Sequence, residues 1–252
     1  MTLNTFVFDI DGTICFDGQT IDDVIAESIN FLVEKNHRVI FASARPIRDL
    51  IPVVSSFEGI ELIGANGAMI MVNNKVEVVE EINDLDFKML LSLIEQYNLD
   101  YVLDDEWNYS MKMRSESKII SQIDPGKIAT NIDIESIKHP LKVIFLNIDE
   151  KLEEELSVKL RKIKSIEVIE HKGERNIDIT SNNINKFSTL QRMGVKKYIA
   201  FGNDYNDLKM LKHSSESIWI SSKGLPSDNC EKIDHIIPPN AEVIARRILD
   251  YV

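Results

Sequence analysis

The run Thr5-Phe6-Val7-Phe8, followed at once by Asp9-Ile10-Asp11-Gly12-Thr13, constrains this chain more than any other stretch. A short apolar, β-branched and aromatic run predicts a buried strand. Two carboxylates and a glycine turn directly after it fall at the strand's carboxyl edge, where open α/β sheets bind their ligands. Alternate residues of an extended segment share a face, so Asp9 and Asp11 can converge. Two close carboxylates repel unless a cation or a shared proton relieves them, and a hard divalent cation such as Mg²⁺ is the natural relief. An Asp-Gly turn capping an ordinary strand carries the same letters, so the rest of the chain has to decide between the two readings.

Composition narrows the class. A chain of 252 residues, 44% hydrophobic and without an apolar run long enough to span a bilayer, reads as a soluble globular protein with one large core or two smaller ones. Met1-Thr2-Leu3-Asn4 has no basic flank, so no signal peptide is expected and the expected location is cytoplasmic. Cys15 and Cys230 lie far apart and in no metal-ligand spacing, which argues against a disulfide framework and a zinc site. With 29 Lys+Arg against 41 Asp+Glu, the net charge of −12 disfavours nucleic acid and anionic membranes as partners. Any phosphate handled here must be drawn by local positive charge.

The first part alternates strand and helix. Helical spacing over Ile21–Lys35 precedes a strand over His37–Ala42. A second helix begins after Pro46 with Ile47, Leu50, Ile51 and Val54 on one face, and Glu61–Gly64 returns as a strand. Ala68–Val72 and Val76–Glu80 flank Asn73-Asn74-Lys75 and read as a hairpin. From about Ile82 to Asn182 the pattern changes to helix Leu85–Tyr97, strands Tyr101–Leu103 and Tyr109–Met113, a helical region near Asp133–Ile137, strand Lys142–Ile148, and a helix carrying Leu152, Leu156 and Leu160. Strands Ile166–Glu170 and Ile177–Thr180 follow, which together predict an α+β segment on an antiparallel sheet. After Asn183 the βα alternation resumes, with Asn185 capping a helix and Tyr198–Phe201 a buried strand ending in Gly202-Asn203-Asp204-Tyr205-Asn206-Asp207. Helix Leu208–Leu211, strands Ile218–Ile220 and His235–Ile237 and helix Ala241–Tyr251 complete the chain. The expected organisation is therefore a doubly wound α/β core of residues 1–81 and 183–252 with a mostly parallel sheet, into which 82–182 is inserted.

Ser43-Ala44-Arg45 follows the second strand, which places the Ser43 hydroxyl and the Ala44 amide at the same sheet edge as Asp9. Lys186, near the start of its helix, is a point charge suited to a phosphoryl group. In order and placement, Asp9-Ile-Asp11-Gly-Thr13, Ala42-Ser43-Ala44-Arg45, Lys186 and Gly202-Asn203-Asp204-Tyr205-Asn206-Asp207-Leu208 resemble the four elements of the haloacid dehalogenase (HAD) superfamily of phosphohydrolases. The inserted segment resembles the type IIB cap, and Ile63-Gly-Ala-Asn66-Gly67-Ala68 resembles the lead-in of the Cof-type branch.

The resemblance implies a Mg²⁺-dependent phosphomonoesterase acting on a small phosphorylated metabolite, a sugar phosphate or similar ester. Asp9 is the implied nucleophile that forms an aspartyl-phosphate, and Asp11 the implied acid and then base. It implies phosphate binding by Ile10, Thr13, Ser43, Ala44, Lys186 and Asn206, with Thr13 also bonding Asp9 through its hydroxyl. It further implies Mg²⁺ binding by Asp9, the Asp11 backbone carbonyl and Asn203, and Asp207 and Arg45 standing behind these groups. Two departures stand out. Asn203 occupies a position where the family usually has Asp, leaving Asp204 as the competing ligand, and Ala44 stands where Gly is usual. A phosphomutase on the same chemistry and a noncatalytic metabolite-binding member are the alternatives. Asp104, Asp105, Trp107, Asn108 and Arg114 of the inserted segment are candidate substrate-selecting residues.

Overall fold

The computed structural model describes residues 3–114, 118–171, 175–225 and 233–252, so Cys230 and the first two residues lie outside the described residues. The chain divides into two compact units, residues 1–76 with 185–252, and residues 77–184. Among the described residues no helix is long and apolar enough to cross a membrane.

The first unit is built on β1 (Thr5–Phe8), β2 (Arg38–Ala42) and β3 (Glu61–Gly64). A hairpin of β4 (Met69–Val72) and β5 (Lys75–Val78) follows β3. The eight-stranded sheet is completed by three strands late in the chain: β11 (Ile199–Gly202), β12 (Glu216–Ile220) and β13 (His235–Ile237). The order across the sheet is β13-β12-β11-β1-β2-β3-β4-β5. β1 pairs in parallel with both β2 and β11, the β12 and β13 pairings are parallel, and β4 runs antiparallel to β3. The Asn73-Asn74 turn has φ of 52° and 60°, the left-handed pair that a two-residue hairpin turn needs and that Asn tolerates. β1 is central, so Phe6, Val7 and Phe8 are fully buried, and the Phe8 ring packs on Phe201 with centroids 4.7 Å apart. Burying each such side chain contributes roughly 1.5–3 kcal/mol.

Helices cover both faces. α1 (Asp23–Glu34), capped by Asp22, buries Ile25, Ile29 and Leu32 and packs against the C-terminal α7 (Ala241–Leu249). On the other face Val7, Ile40, Ile63 and Ala200 pack with Leu190, Met210 and Leu211, which belong to α5 (Lys186–Arg192) and α6 (Leu208–Lys212). The helix expected from Pro46 through Val54 is shorter: α2 covers Ile47–Leu50 and turns follow it. Pro52 has no amide hydrogen to donate to the preceding turn, which breaks the ladder although Val54 still bonds the Leu50 carbonyl at 3.0 Å.

The second unit is a five-stranded sheet in the order β7-β6-β8-β10-β9, with β6 (Asp100–Asp104), β7 (Tyr109–Lys112), β8 (Lys142–Leu146), β9 (Ile166–His171) and β10 (Asn176–Ser181). All four pairings are antiparallel. One face buries Leu103, Val143, Phe145, Ile177 and Ile179 under α3 (Asp84–Tyr97) and α4 (Glu150–Leu160). The opposite face holds a small cluster of Val102, Ile144 and Leu146 and a buried Lys142–Asp178 ion pair at 2.5 Å. The region near Asp133–Ile137, read as helical, is a single 3₁₀ turn over Ile134–Ser136. With Asp133, Glu135 and Ser136 set among single isoleucines, the segment has too few apolar positions and too little length to propagate a helix.

Candidate active site

β1 stops at Phe8 because the next residues turn back on themselves. The Asp9 amide still donates to the Phe201 carbonyl at 2.9 Å, while the Ile10 carbonyl accepts from the amides of Thr13, Ile14 and Cys15 at 3.0–3.1 Å. Gly12 takes φ of +77°, a conformation L side chains rarely adopt, and a Cβ there would also meet the Nδ2 of the Asn203 side chain. Ile10 and Cys15 point into the core. Ile10 therefore offers a ligand only its backbone. Burial, with Asp11 nearby, pushes the Cys15 thiol up to about 11, which makes it a packing residue.

Lys186 is the first residue of α5, a helix that Asn185 and Ser188 start with a reciprocal capping box. Its ammonium is almost fully buried and lies 2.6 Å from Asp9 Oδ1 and 2.6 Å from Asp207 Oδ1. One cation thus serves two buried carboxylates. Burial, reinforced by the Asp207 charge, raises the Asp9 carboxyl to about 7 against the opposing pull of Lys186 and Thr13. Burial works against the charge on Lys186, but Asp207 and Asp9 outweigh it and hold the lysine above its ordinary value. The other Asp9 oxygen lies 2.7 Å from Thr13 Oγ1, which is also 3.0 Å from Asn203 Oδ1, one hydroxyl proton between two acceptors. Thr13 is fully buried, and its hydroxyl restrains Asp9.

Asp11 has a separate cation. Arg45 Nε donates to Asp11 Oδ2 at 2.8 Å, a second guanidinium nitrogen meets Asp11 Oδ1, and that nitrogen also donates to the Gly18 carbonyl at 2.9 Å. Each of the two carboxylates thus has a basic side chain of its own, Lys186 on Asp9 and Arg45 on Asp11. Arg45 is held from behind. Its amide donates to Ser43 Oγ at 3.1 Å and its carbonyl accepts from Ala65 at 2.7 Å, while the Ser43 amide donates to the Ile63 carbonyl at 2.9 Å. Ala44 is not among the residues with positive φ, so the methyl group in place of glycine costs nothing in backbone strain.

The turn after β11 is organised by Asp207. Its Oδ2 accepts from the amides of Asn203 and Asp204 at 3.0 and 3.1 Å, while Oδ1 takes Lys186. Gly202 permits this approach, since a Cβ there would lie 2.7 Å from the Asp207 Cβ. Asn203 and Asp204 diverge. The Asn203 side-chain oxygen shares Thr13 with Asp9, whereas the Asp204 carboxylate caps its own turn by accepting from Tyr205 at 2.7 Å in an exposed position. Asn206 Nδ2 donates to Asn66 Oδ1 at 3.0 Å. Asn66 carried no assigned role in the sequence beyond its place in the stretch Ile63–Ala68 that resembles the Cof-type lead-in.

No cluster of three or more His, Cys, Asp or Glu among the described residues could hold a metal. A hard cation that keeps waters and substrate oxygens needs fewer protein ligands, and the Asp9 carboxylate with the Asn203 amide oxygen, both on Thr13, is an oxygen donor set of that kind. In the second unit the five candidate selecting residues have internal tasks. Asp105 accepts from the His139 amide at 2.8 Å, Trp107 Nε1 donates to the Ile128 carbonyl at 2.8 Å, Asn108 accepts from the Thr130 amide at 3.1 Å, and Arg114 pairs with Asp100 at 2.7 Å. Asp104 is buried at the end of β6.

Comparison with known proteins agrees with this architecture. The family model for haloacid dehalogenase-like hydrolases matches residues 6–241. A 5-amino-6-(5-phospho-D-ribitylamino)uracil phosphatase, YcsE of Bacillus subtilis (strain 168), is 24% identical over 221 residues, covering 84% of this chain and 81% of that protein. A haloacid dehalogenase-like hydrolase from Bacteroides thetaiotaomicron superposes with a TM-score of 0.80 at 20% identity over the full length of both chains. The HAD subclass IIB sugar phosphatase BT4131 does so with a TM-score of 0.78 at 20% identity over 98% of each. With its mostly parallel sheet, its separate antiparallel sheet and a family match over nearly its whole length, the chain belongs to the haloacid dehalogenase-like hydrolases.

Proposed function

We propose that the protein is a cytoplasmic, Mg²⁺-dependent phosphatase that releases phosphate from a small phosphorylated metabolite, a sugar phosphate or similar ester, through an aspartyl-phosphate on Asp9. The observation that carries this reading is the restraint of Asp9, one oxygen on Lys186 and the other on Thr13, at the carboxyl end of the central strand. A carboxylate fixed at both oxygens is poised for in-line attack, because little reorganisation remains. The names of two relatives, a sugar phosphatase and a phosphoribitylamino-uracil phosphatase, favour a small polyol or sugar phosphate.

In this reading an Asp9 oxygen bonds to phosphorus as the ester oxygen departs with a proton from Asp11. Asp11 then accepts a proton from water, whose oxygen attacks phosphorus and returns Asp9 as a carboxylate. Arg45 bonds both Asp11 oxygens in the structure, so for proton transfer one of these bonds opens and that oxygen takes up the proton it delivers, while the other bond keeps Asp11 oriented. Ser43, the Ala44 amide, the Ile10 backbone, Lys186 and Asn206 would take the phosphoryl oxygens. Asp9, the Asp11 backbone carbonyl and Asn203 would hold Mg²⁺, with Asp207 fixing the Asn203 backbone, and the ion would supply positive charge that offsets the negative charge of the phosphoryl group. The antiparallel unit serves as a cap that selects the leaving group. Screening phosphorylated sugars, polyols and nucleotides for phosphate release with Mg²⁺ tests the proposal. Turnover of a small ester that disappears in Asp9→Asn supports it; no turnover across the panel counts against it.

A further inference from the structure

The three-residue turn after β3 bonds to the Ser43–Arg45 segment, to the Lys186 helix and to Asn206. Ala65, Asn66 and Gly67 all have positive φ, 48°, 56° and 111°. Two consecutive non-glycine residues in the left-handed region are uncommon, and such strain persists only where the surroundings impose it. Here they do. The Ala65 amide donates to the Arg45 carbonyl at 2.7 Å, the Asn66 amide to the Ser43 carbonyl at 3.0 Å, and the Gly67 carbonyl accepts from Thr189 Oγ1 of the Lys186 helix at 2.8 Å. From this pinned backbone the Asn66 side chain, itself about 5% exposed, reaches Asn206.

We propose that Asn66 is a positioning residue that fixes which end of the Asn206 carboxamide is presented to a phosphoryl oxygen. The inference rests on the phosphate-binding reading of Asn206 given above. A carboxamide turned by half a rotation exchanges two donors for an acceptor, and an acceptor facing a phosphoryl oxygen repels it. In the structure Asn66 Oδ1 accepts from Asn206 Nδ2, and this arrangement of the pair presents the Nδ2 end of Asn206. Of the two N–H groups on that nitrogen, one bonds Asn66 and the second remains for a ligand. The pair is also not closed on itself: Asn66 Nδ2 and Asn206 Oδ1 are buried without a protein partner. A pair of purely structural amides would be expected to satisfy these atoms, and their openness fits a network completed by a polar ligand.

The test uses Asn66→Gly, because glycine keeps the left-handed backbone and removes only the carboxamide. Asn206→Ala and the double variant complete a cycle, read as the inhibition constant of inorganic phosphate and as kcat and KM for an aryl phosphate with Mg²⁺. Asn66→Gly is expected to weaken inorganic phosphate by roughly three- to tenfold, the range of one neutral hydrogen bond, with the loss falling on KM more than on kcat. In the Asn206→Ala background the same substitution should add nothing. Additive losses in the double variant, or unchanged phosphate affinity in Asn66→Gly, overturn the inference while leaving the phosphatase reading intact. Unchanged phosphate affinity in Asn206→Ala overturns the role of Asn206 and the inference with it.

Discussion

Arg45 holds Asp11 with both prongs of its guanidinium across 34 residues of sequence, and the same arginine is anchored to the Gly18 carbonyl. The fork matches a carboxylate in a way that an ammonium cannot. Arg45→Lys should therefore leave the fold intact and lower kcat by about tenfold, a fraction of the ~10²–10⁴ that general acid–base catalysis is worth. KM should change less. Steady-state kinetics on an aryl phosphate decide it, and an unchanged kcat would detach Arg45 from the work of Asp11.

Removing the shared cation exposes the repulsion it masks. Lys186→Met leaves Asp9 and Asp207 buried without their common partner, and breaking such a pair costs about 3–5 kcal/mol. Urea denaturation in a chelating buffer at about pH 8 should show this loss, and a smaller one at about pH 5, where Asp9 takes up a proton.

The wild-type protein should itself respond to pH through Asp9. Its carboxyl stands at about 7 in the fold against 3.8 as the ordinary value, so the folded state binds this proton more tightly than the unfolded state. The Asp9 contribution to stability is therefore present below about pH 4, declines as pH rises to about 7, and changes no further above that. Denaturation midpoints measured without divalent cations should show this decline, and Asp9→Asn should flatten it.

Asn203→Asp adds a carboxylate beside Thr13 and Asp9, where Lys186 already serves two. The added charge should tighten Mg²⁺, because direct contact outweighs the more distant repulsion of phosphate, and should lower the stability of the Mg²⁺-free protein. Activity titrated against Mg²⁺ at saturating substrate reads the first effect and a thermal melt in chelator the second. An unchanged half-saturating Mg²⁺ concentration would remove position 203 from the metal site.

Much of this was legible because the signals are local. The strand-then-Asp9 pattern, the capping Asn185 and the Asn73-Asn74 turn are each set by a few neighbouring residues, and the alternation of strands and helices announced the parallel sheet. What was not legible depends on residues that meet only after folding. Lys186 read as a point charge for phosphate, yet 177 and 21 residues separate it from the two carboxylates that take its ammonium. Nothing near Arg45 announced its pairing with Asp11, and Asn66 is separated from Asn206 by 140 residues. Helix ends were misjudged where one residue overrode periodicity, as Pro52 did after α2.

The central claim is a covalent intermediate on Asp9, and the stereochemical course at phosphorus tests it most directly. An aryl phosphate made chiral with sulfur and oxygen isotopes would be hydrolysed in isotopically labelled water, and the configuration of the released thiophosphate determined. Two successive in-line displacements, the first by Asp9 and the second by water, give overall retention. Net inversion would mean that water attacks the substrate directly, and would contradict the account.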